Sequence, residues 1–269
     1  MAATDKLFAG SIPELYDRVL VPLIFEPYAH DLAERVAKVG PRDVLETAAG
    51  TGVLTRAMIS RLPEARIVAT DLNQPMLDQA AARAARQDRI VLRQADALAL
   101  PFDDQTFDVV TCQFGAMFFP DKVQGYKEAR RVLKPGGRFM FNVWDRISEN
   151  EFADVVTLAL ADLFPHDPPR FLARVPHGYH DVDRIRADLN AAGFADISVD
   201  AVNATSKTGS PLEPAIAYCQ GTPLRNEIEA RDASSLQDAT RRAAEALAHR
   251  FGSGAIEGRI RAFVITAIS

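Results

Sequence analysis

Between residues 43 and 144 the chain alternates short apolar runs with longer stretches whose apolar positions recur at helical spacing. Asp43-Val-Leu-Glu46 reads as a strand entering a glycine-containing turn, and Val53 to Leu62 carries the spacing of a helix. Arg66-Ile-Val-Ala-Thr-Asp71 is a second strand, short and rich in β-branched residues. Asn73 is an N-cap with Pro75 in the first turn, opening a helix to about Ala84. Ile90–Arg93 and Phe107–Gln113 are the third and fourth strands. Asp121 caps a helix running to about Leu133, which Lys134-Pro-Gly-Gly137 ends in a sharp turn before the strand Arg138–Trp144. Strands alternating with helices specify an α/β fold, a doubly wound, mostly parallel sheet with helices on both faces.

Beyond Trp144 the pattern is less regular. Residues 145–180 are rich in proline and aromatics and read as an irregular insertion. Asp181–Ala192 is helical with Gly193 closing it, and Ala195–Val202 alternates like a strand. Residues 211–251, rich in alanine and arginine, are helical, and Ile260–Ile268 is a last strand returning to the sheet. The expected organisation is a single domain over 1–269. It comprises N-terminal helices at 1–40, a core at 41–145, cap insertions at 146–180 and 205–258, and the last helix and strands at 181–204 and 259–269.

Composition narrows the class. With 269 residues and 48% hydrophobic positions the chain can bury a sizeable core without staples, and two cysteines fit a reducing compartment rather than a disulfide framework. The expectation is a cytoplasmic protein, since no apolar run is long enough to cross a bilayer and residues 1–8 lack a secretory layout. Net charge −5 argues against a general nucleic-acid binder.

The chemistry concentrates in Val44-Leu-Glu-Thr-Ala-Ala-Gly-Thr-Gly52, at the carboxyl end of the first strand. Gly50 and Gly52 let backbone approach a ligand, and the following helix offers free N–H groups. Asp71, 19 residues after Gly52, ends the neighbouring strand, where a carboxylate can accept from a ribose diol. A dinucleotide fingerprint needs a third small residue, but Val53-Leu54-Thr55 follows Gly52. No Gly-Lys-Ser/Thr is present for a phosphate loop.

Five ordered motifs then carry a resemblance. Glu46-Thr-Ala-Ala-Gly-Thr-Gly52, Ala69-Thr-Asp71-Leu-Asn, Gln94-Ala-Asp96-Ala, Leu100-Pro-Phe-Asp-Asp-Gln-Thr-Phe-Asp108 and Arg131-Val-Leu-Lys-Pro-Gly-Gly137 resemble the successive motifs of class I S-adenosylmethionine-dependent methyltransferases. The closest likeness is to their small-molecule, type 11 (UbiE-like) group. The resemblance implies a Rossmann-like seven-stranded sheet with helical cap and lid insertions, S-adenosyl-L-methionine as cofactor and S-adenosyl-L-homocysteine as product. It places Glu46, Thr47, Ala48 and Gly50 on the methionine part, Asp71 on the ribose, and Leu72, Met76, Asp96 and Ala97 about the adenine. Gln113 and Phe114 would line the sulfonium region, and Tyr16 and Phe25 would belong to an N-terminal lid over the cofactor. Two positions depart from the pattern: Glu46 stands for the usual aspartate, and Ala48 for the first glycine.

Candidate bases are His166, His177, Tyr179 and His180, of which His177, Tyr179 and His180 cluster in sequence and are the expected catalytic set. Gln113-Phe114 offers no hard-cation ligands, so metal-independent transfer is expected. The Asn/Asp-Pro-Pro-Tyr/Phe motif of nucleic-acid amino methylation is replaced by Gln113-Phe-Gly-Ala-Met-Phe-Phe-Pro120. Met117, Phe118, Phe119, Phe164, Phe171 and Tyr218 suggest an apolar pocket instead. The expected partner is a small, fairly apolar methyl acceptor: a quinone, phenol, polyketide-like or lipid-like metabolite. The alternatives are a cofactor-binding regulatory protein without turnover and, behind it, an RNA or protein methyltransferase.

Overall fold

Seven strands lie in one sheet in the order β3-β2-β1-β4-β5-β7-β6, the seven-stranded, mostly parallel sheet that the resemblance implies. They are β1 (Asp43–Glu46), β2 (Arg66–Asp71), β3 (Ile90–Gln94), β4 (Phe107–Gln113), β5 (Leu133–Trp144), β6 (Asp196–Thr208) and β7 (Ile256–Ile268). The computed structural model describes residue 5, residues 12–83 and residues 88–269. Strands β1 to β5 pair in parallel, with Glu46 level with Ala69 on one side and Thr111 on the other. β7 runs antiparallel: Asp145 N–H donates to Arg261 O at 3.1 Å, while Gly136 N–H donates to Ser269 O, also at 3.1 Å. The chain winds outward from β1 to β3 and then restarts at β4 on the other flank. That reversal opens a crevice beyond the carboxyl ends of β1 and β4, where ligands of such sheets bind.

Helices join the strands. Helix α1 spans Ile12–Leu15, a π-helical stretch covers Tyr16–Phe25, and α2 covers Glu26–Val39. Helices α3 (Val53–Arg61), α4 (Gln74–Arg83) and α5 (Lys122–Val132) follow β1, β2 and β4. The helix expected to reach Ala84 is described to Arg83, and position 84 lies outside the described residues. Asp121 caps α5 by accepting from Gln124 N–H at 2.9 Å. Next come α6 (Glu151–Leu163), α7 (Phe171–Arg174) and α8 (Val182–Ala191), then α9 (Leu212–Gln220), α10 (Leu224–Arg231) and α11 (Leu236–Phe251). Asp181 caps α8, and Gly193 at φ +96° ends it.

Three expectations change. β5 begins at Leu133 rather than Arg138: pairing shifts from Phe107–Leu133 to Val109–Arg138, so Lys134–Gly137 bulge out inside the strand instead of preceding it. Residues 145–180 are irregular only in part, because α6 carries Phe152, Val155, Val156 and Leu160 on a buried face and the prolines fall after it. β6 and β7 extend to Thr208 and from Ile256, into stretches assigned to the cap.

The chain divides into two compact units. The first holds residues 1–25, 144–179 and 203–261; the second holds residues 26–143, 180–202 and 262–269. In the second, Leu32 and Val36 of α2 and Leu54 and Met58 of α3 pack over Val44, Ile67, Val109, Met140 and Val264. Each such fully buried side chain contributes about 1.5–3 kcal/mol of hydrophobic stabilisation. In the first, Phe152 of α6 packs edge-on against Phe251 of α11, and a Cβ at Gly258 would come within 2.7 Å of the Phe152 ring.

Candidate active site

The loop after β1, in the second unit, is shaped by three residues in the left-handed region: Ala48 at φ +52°, Gly50 at +57° and Gly52 at +78°. Ala48 holds that conformation with a side chain, at a cost of about 1–2 kcal/mol. The loop is pinned to its neighbours by Thr47 N–H donating to Thr111 O and Ala49 N–H donating to Thr70 O, both at 2.8 Å. Gly115, just past β4, leaves room for it. A Cβ there would stand 2.4 Å from the Ala48 Cβ and 2.8 Å from Cys112 Sγ.

Glu46 is 1% exposed at the end of β1, and Thr55 Oγ1 donates to its Oε2 at 2.5 Å. Burial pushes its carboxyl up to about 8, against the lowering effects of the Thr55 hydrogen bond and the Arg56 charge. Asp71 ends β2 on the same face. Its Oδ2 accepts from Gly50 N–H at 2.8 Å, and its Oδ1 accepts from Asn73 N–H at 2.8 Å and from Asn73 Nδ2 at 3.4 Å. Burial raises its pKa, with those hydrogen bonds opposing the shift. The carboxylate that would meet a diol thus also ties the glycine loop to β2.

The remaining predicted positions sort by environment. Met76 is buried with its Cε 3.5 Å from where a Gly50 Cβ would stand, whereas Leu72 is 45% exposed. Asp96 is exposed and its Oδ1 accepts from Leu98 N–H at 2.9 Å, a turn-capping bond, with Ala97 half-buried beside it. Gln113 is buried at the end of β4. Phe114 follows at φ +51°, its ring edge-on to Tyr28 of α2 at 5.4 Å. Asp108, at the other end of β4, is structural: it accepts from Arg42 N–H, Asp43 N–H and Lys134 Nζ.

Two polar groups here escaped the sequence reading. Thr51 Oγ1, in the glycine loop, is buried without a hydrogen-bond partner among the described residues. So are both polar atoms of Asn142 on β5. The signal was present for Asn142, the lone polar residue in Phe139-Met-Phe-Asn-Val-Trp144.

In the first unit, rings follow one another from Tyr16 to Phe25 (5.1 Å), to Trp144 (5.8 Å) and to His177 (5.9 Å). His177 is buried, and its Nδ1 lies 2.9 Å from Asp145 O. A carbonyl only accepts, so this nitrogen carries the proton and Nε2 is the basic nitrogen of the neutral ring. Asp145 is held by Arg146 N–H and by the Arg261 guanidinium at 3.3 Å. Tyr179 is buried at the end of this unit. His180 opens a segment of the other unit, and His166 is exposed. Phe171 and Tyr218 are buried in the first unit, and Met117 and Phe119 in the second, where Phe119 lies on Gly125. Among the described residues no group of three or more His, Cys, Asp or Glu could hold a metal ion, and no helix is long and apolar enough to cross a membrane.

Residues 44–137 match the family model described as a methyltransferase domain. The demethylmenaquinone methyltransferase of Deinococcus radiodurans is 36% identical over 176 residues, covering 64% of this chain and 71% of that protein. The chain belongs to the class I S-adenosylmethionine-dependent methyltransferases. Within them it is similar to the menaquinone and ubiquinone enzymes. The ubiquinone/menaquinone biosynthesis C-methyltransferase of Idiomarina loihiensis is 32% identical over 57% of this chain and 66% of that one. For the fold, a methyltransferase structure from Bacillus halodurans superposes with a TM-score of 0.55 at 21% identity, covering 88% of this chain and 98% of its own. S-adenosylmethionine is the methyl donor of this family.

Proposed function

We propose that this methyltransferase acts on a small, fairly apolar acceptor of the quinol or phenol class. The observation that carries the cofactor side is the row of polar groups on one face at the strand ends. Residues paired in a parallel ladder share a face. Glu46 pairs with Ala69 and Thr111, and Asp71 and Gln113 lie two residues beyond those partners, so all three project to the same side. The acceptor class is supported by the similarity to quinone methyltransferases and by the aromatic series from Tyr16 to His177.

The donor set fits the cofactor's groups. Glu46 would hold the methionine ammonium, losing its proton as the cation arrives, with Thr47, Ala48 and Gly50 supplying the loop beside it. Asp71 would take the ribose hydroxyls, which displace the 3.4 Å bond from Asn73 Nδ2. Leu72, Met76 and Ala97 would flank the adenine. For Asp96 the turn-capping bond must coexist with a bond from the adenine amino group, which its second oxygen allows. Gln113 and Phe114 would border the reacting end. S-adenosylmethionine, when bound, would supply an activated methyl on a sulfonium. The chain's own contribution is alignment, exclusion of water and a proton acceptor. His177, fixed as the Nδ1–H tautomer by Asp145 O, would take the phenolic proton at Nε2, with Tyr179 and His180 as the further candidates. Tyr16 and Phe25 are assigned to cofactor retention.

The experiment is transfer of tritiated methyl from S-adenosylmethionine to demethylmenaquinol and to simple naphthohydroquinones. Label in the quinol fraction supports the reading; transfer confined to amines or to RNA overturns it. Tyr16→Ala is expected to weaken S-adenosylhomocysteine binding, and unchanged affinity removes Tyr16 from the cofactor site.

A further inference from the structure

Asn142 lies on β5 one strand beyond Gln113, level with it and on the same face. Its side chain is 0% exposed, and neither Oδ1 nor Nδ2 has a hydrogen-bond partner among the described residues. A carboxamide has two donor hydrogens and an oxygen with two lone pairs. Burying it without partners is costly, and buried polar groups that stay unsatisfied are rare in folded proteins. A leucine there would fill similar volume and join an already apolar strand. An amide that adds nothing to the fold, at the carboxyl end of a strand beside the cofactor crevice, points to a partner that arrives from outside.

Its position says which partner. Strands are about 4.8 Å apart, so along the sheet edge the order is Asp71 on β2, Glu46 on β1, Gln113 on β4 and Asn142 on β5. The loop carrying Ala48 packs against Gly115, two residues after Gln113, so the groups proposed for the cofactor run from β2 to β4. Asn142 is about 10 Å across the sheet from Glu46 and roughly 7 Å further along the strand direction. That is past the methionine end and on the flank opposite the ribose-binding Asp71. We propose that Asn142 recognises the methyl acceptor, donating from Nδ2 to an oxygen of the acceptor ring and accepting at Oδ1 from a hydroxyl on it. A neutral amide suits this place. It orients an oxygen without adding a second negative charge beside Glu46 and Asp71, and in a dry site its dipole acts at low dielectric. The enclosed amide must be uncovered for the acceptor to reach it, and its unmet hydrogen bonds favour that opening. The assignment deepens the quinol reading above and rests on it for the acceptor class.

The test is Asn142→Leu, with Asn142→Asp beside it, in the full chain. Asn142→Leu is expected to melt at the same temperature as the parent or higher, because an unpaired buried amide is replaced by a packed side chain. S-adenosylhomocysteine affinity by calorimetry stays within twofold, while KM for 1,4-dihydroxynaphthalene rises at least tenfold. Asn142→Asp keeps an acceptor but loses the donor and also impairs transfer. A large loss of melting temperature in Asn142→Leu overturns the proposal, since the amide then serves the fold. A tenfold loss of S-adenosylhomocysteine affinity overturns it in favour of a cofactor contact. If the parent transfers no methyl to any quinol, the acceptor-class reading fails. Asn142 is then scored on tritium transferred into an apolar metabolite extract, where equal activity of parent and Asn142→Leu overturns this proposal too.

Discussion

In its proposed place on the methionine ammonium, Glu46 would couple cofactor binding to pH. Buried as it is, the carboxyl holds its proton to about pH 8, whereas in the unfolded chain it ionises near 4.5. Between those values the folded protein binds a proton that the unfolded chain has lost. Glu46 therefore contributes stability that is full below pH 4.5 and falls as pH rises through 8. A cofactor ammonium needs the ionised form, so S-adenosylhomocysteine affinity should rise from pH 6.5 to 8, by up to about tenfold per unit. Calorimetry across that range checks it, and Glu46→Gln should flatten the profile. Asp71→Ala should weaken cofactor binding by an order of magnitude or more, and it should also loosen the glycine loop, since Gly50 N–H loses its acceptor. His177→Gln should lower kcat while leaving S-adenosylhomocysteine affinity unchanged; an unaltered kcat assigns the base elsewhere. Glu46 and Asp71 could be singled out from the sequence because strand ends and glycine turns are local signals, whereas Gln113 came only with the family resemblance. Thr51 and Asn142 were not singled out, because whether a polar side chain finds a partner depends on packing from distant segments.

At the level of elements, the glycine loop and the turn after β4 form a matched pair. Gly115→Ala forces a methyl against the Ala48 Cβ and should destabilise by about 1–3 kcal/mol while displacing the loop, so cofactor affinity falls with melting temperature. Gly136→Ala is the control: φ is +75° but nothing lies within 4 Å, so only about 1 kcal/mol of backbone strain is expected and binding stays intact. Equal losses of affinity in both variants would show that general destabilisation, not loop placement, is being read. The element boundaries that changed have a common cause. The Lys134–Gly137 segment contains the proline and glycines of a turn, yet it sits within β5 because Gly136 N–H and Gly137 O bond to Ser269, the far end of the chain. The π-helical Tyr16–Phe25 stretch includes Pro22, which has no N–H to give, and Ser206 Oγ reaches in to bond Leu23 O at 2.6 Å. Neither long-range partner is visible in a local window.

For the molecule as a whole, cofactor binding should raise stability by mass action. At 100 times Kd this is about 2.7 kcal/mol, read as a melting-temperature rise of roughly 5–10 °C with S-adenosylhomocysteine. NADH should produce none, and a rise with NADH alone would contradict the cofactor assignment. The sequence by itself determined the alternating α/β plan, the parallel, doubly wound character of the sheet and the family, because hydrophobic period, caps and glycine turns act over a few residues. Tertiary structure alone decided the compact units: the first collects residues 1–25, 144–179 and 203–261, segments far apart in the chain. It also decided that His177 is buried against Asp145 and Trp144 rather than solvated in a loop, and that the Asn142 side chain is enclosed without a hydrogen-bond partner among the described residues. Burial and hydrogen-bond satisfaction depend on every segment packed around a group, and only the folded chain brings those segments together.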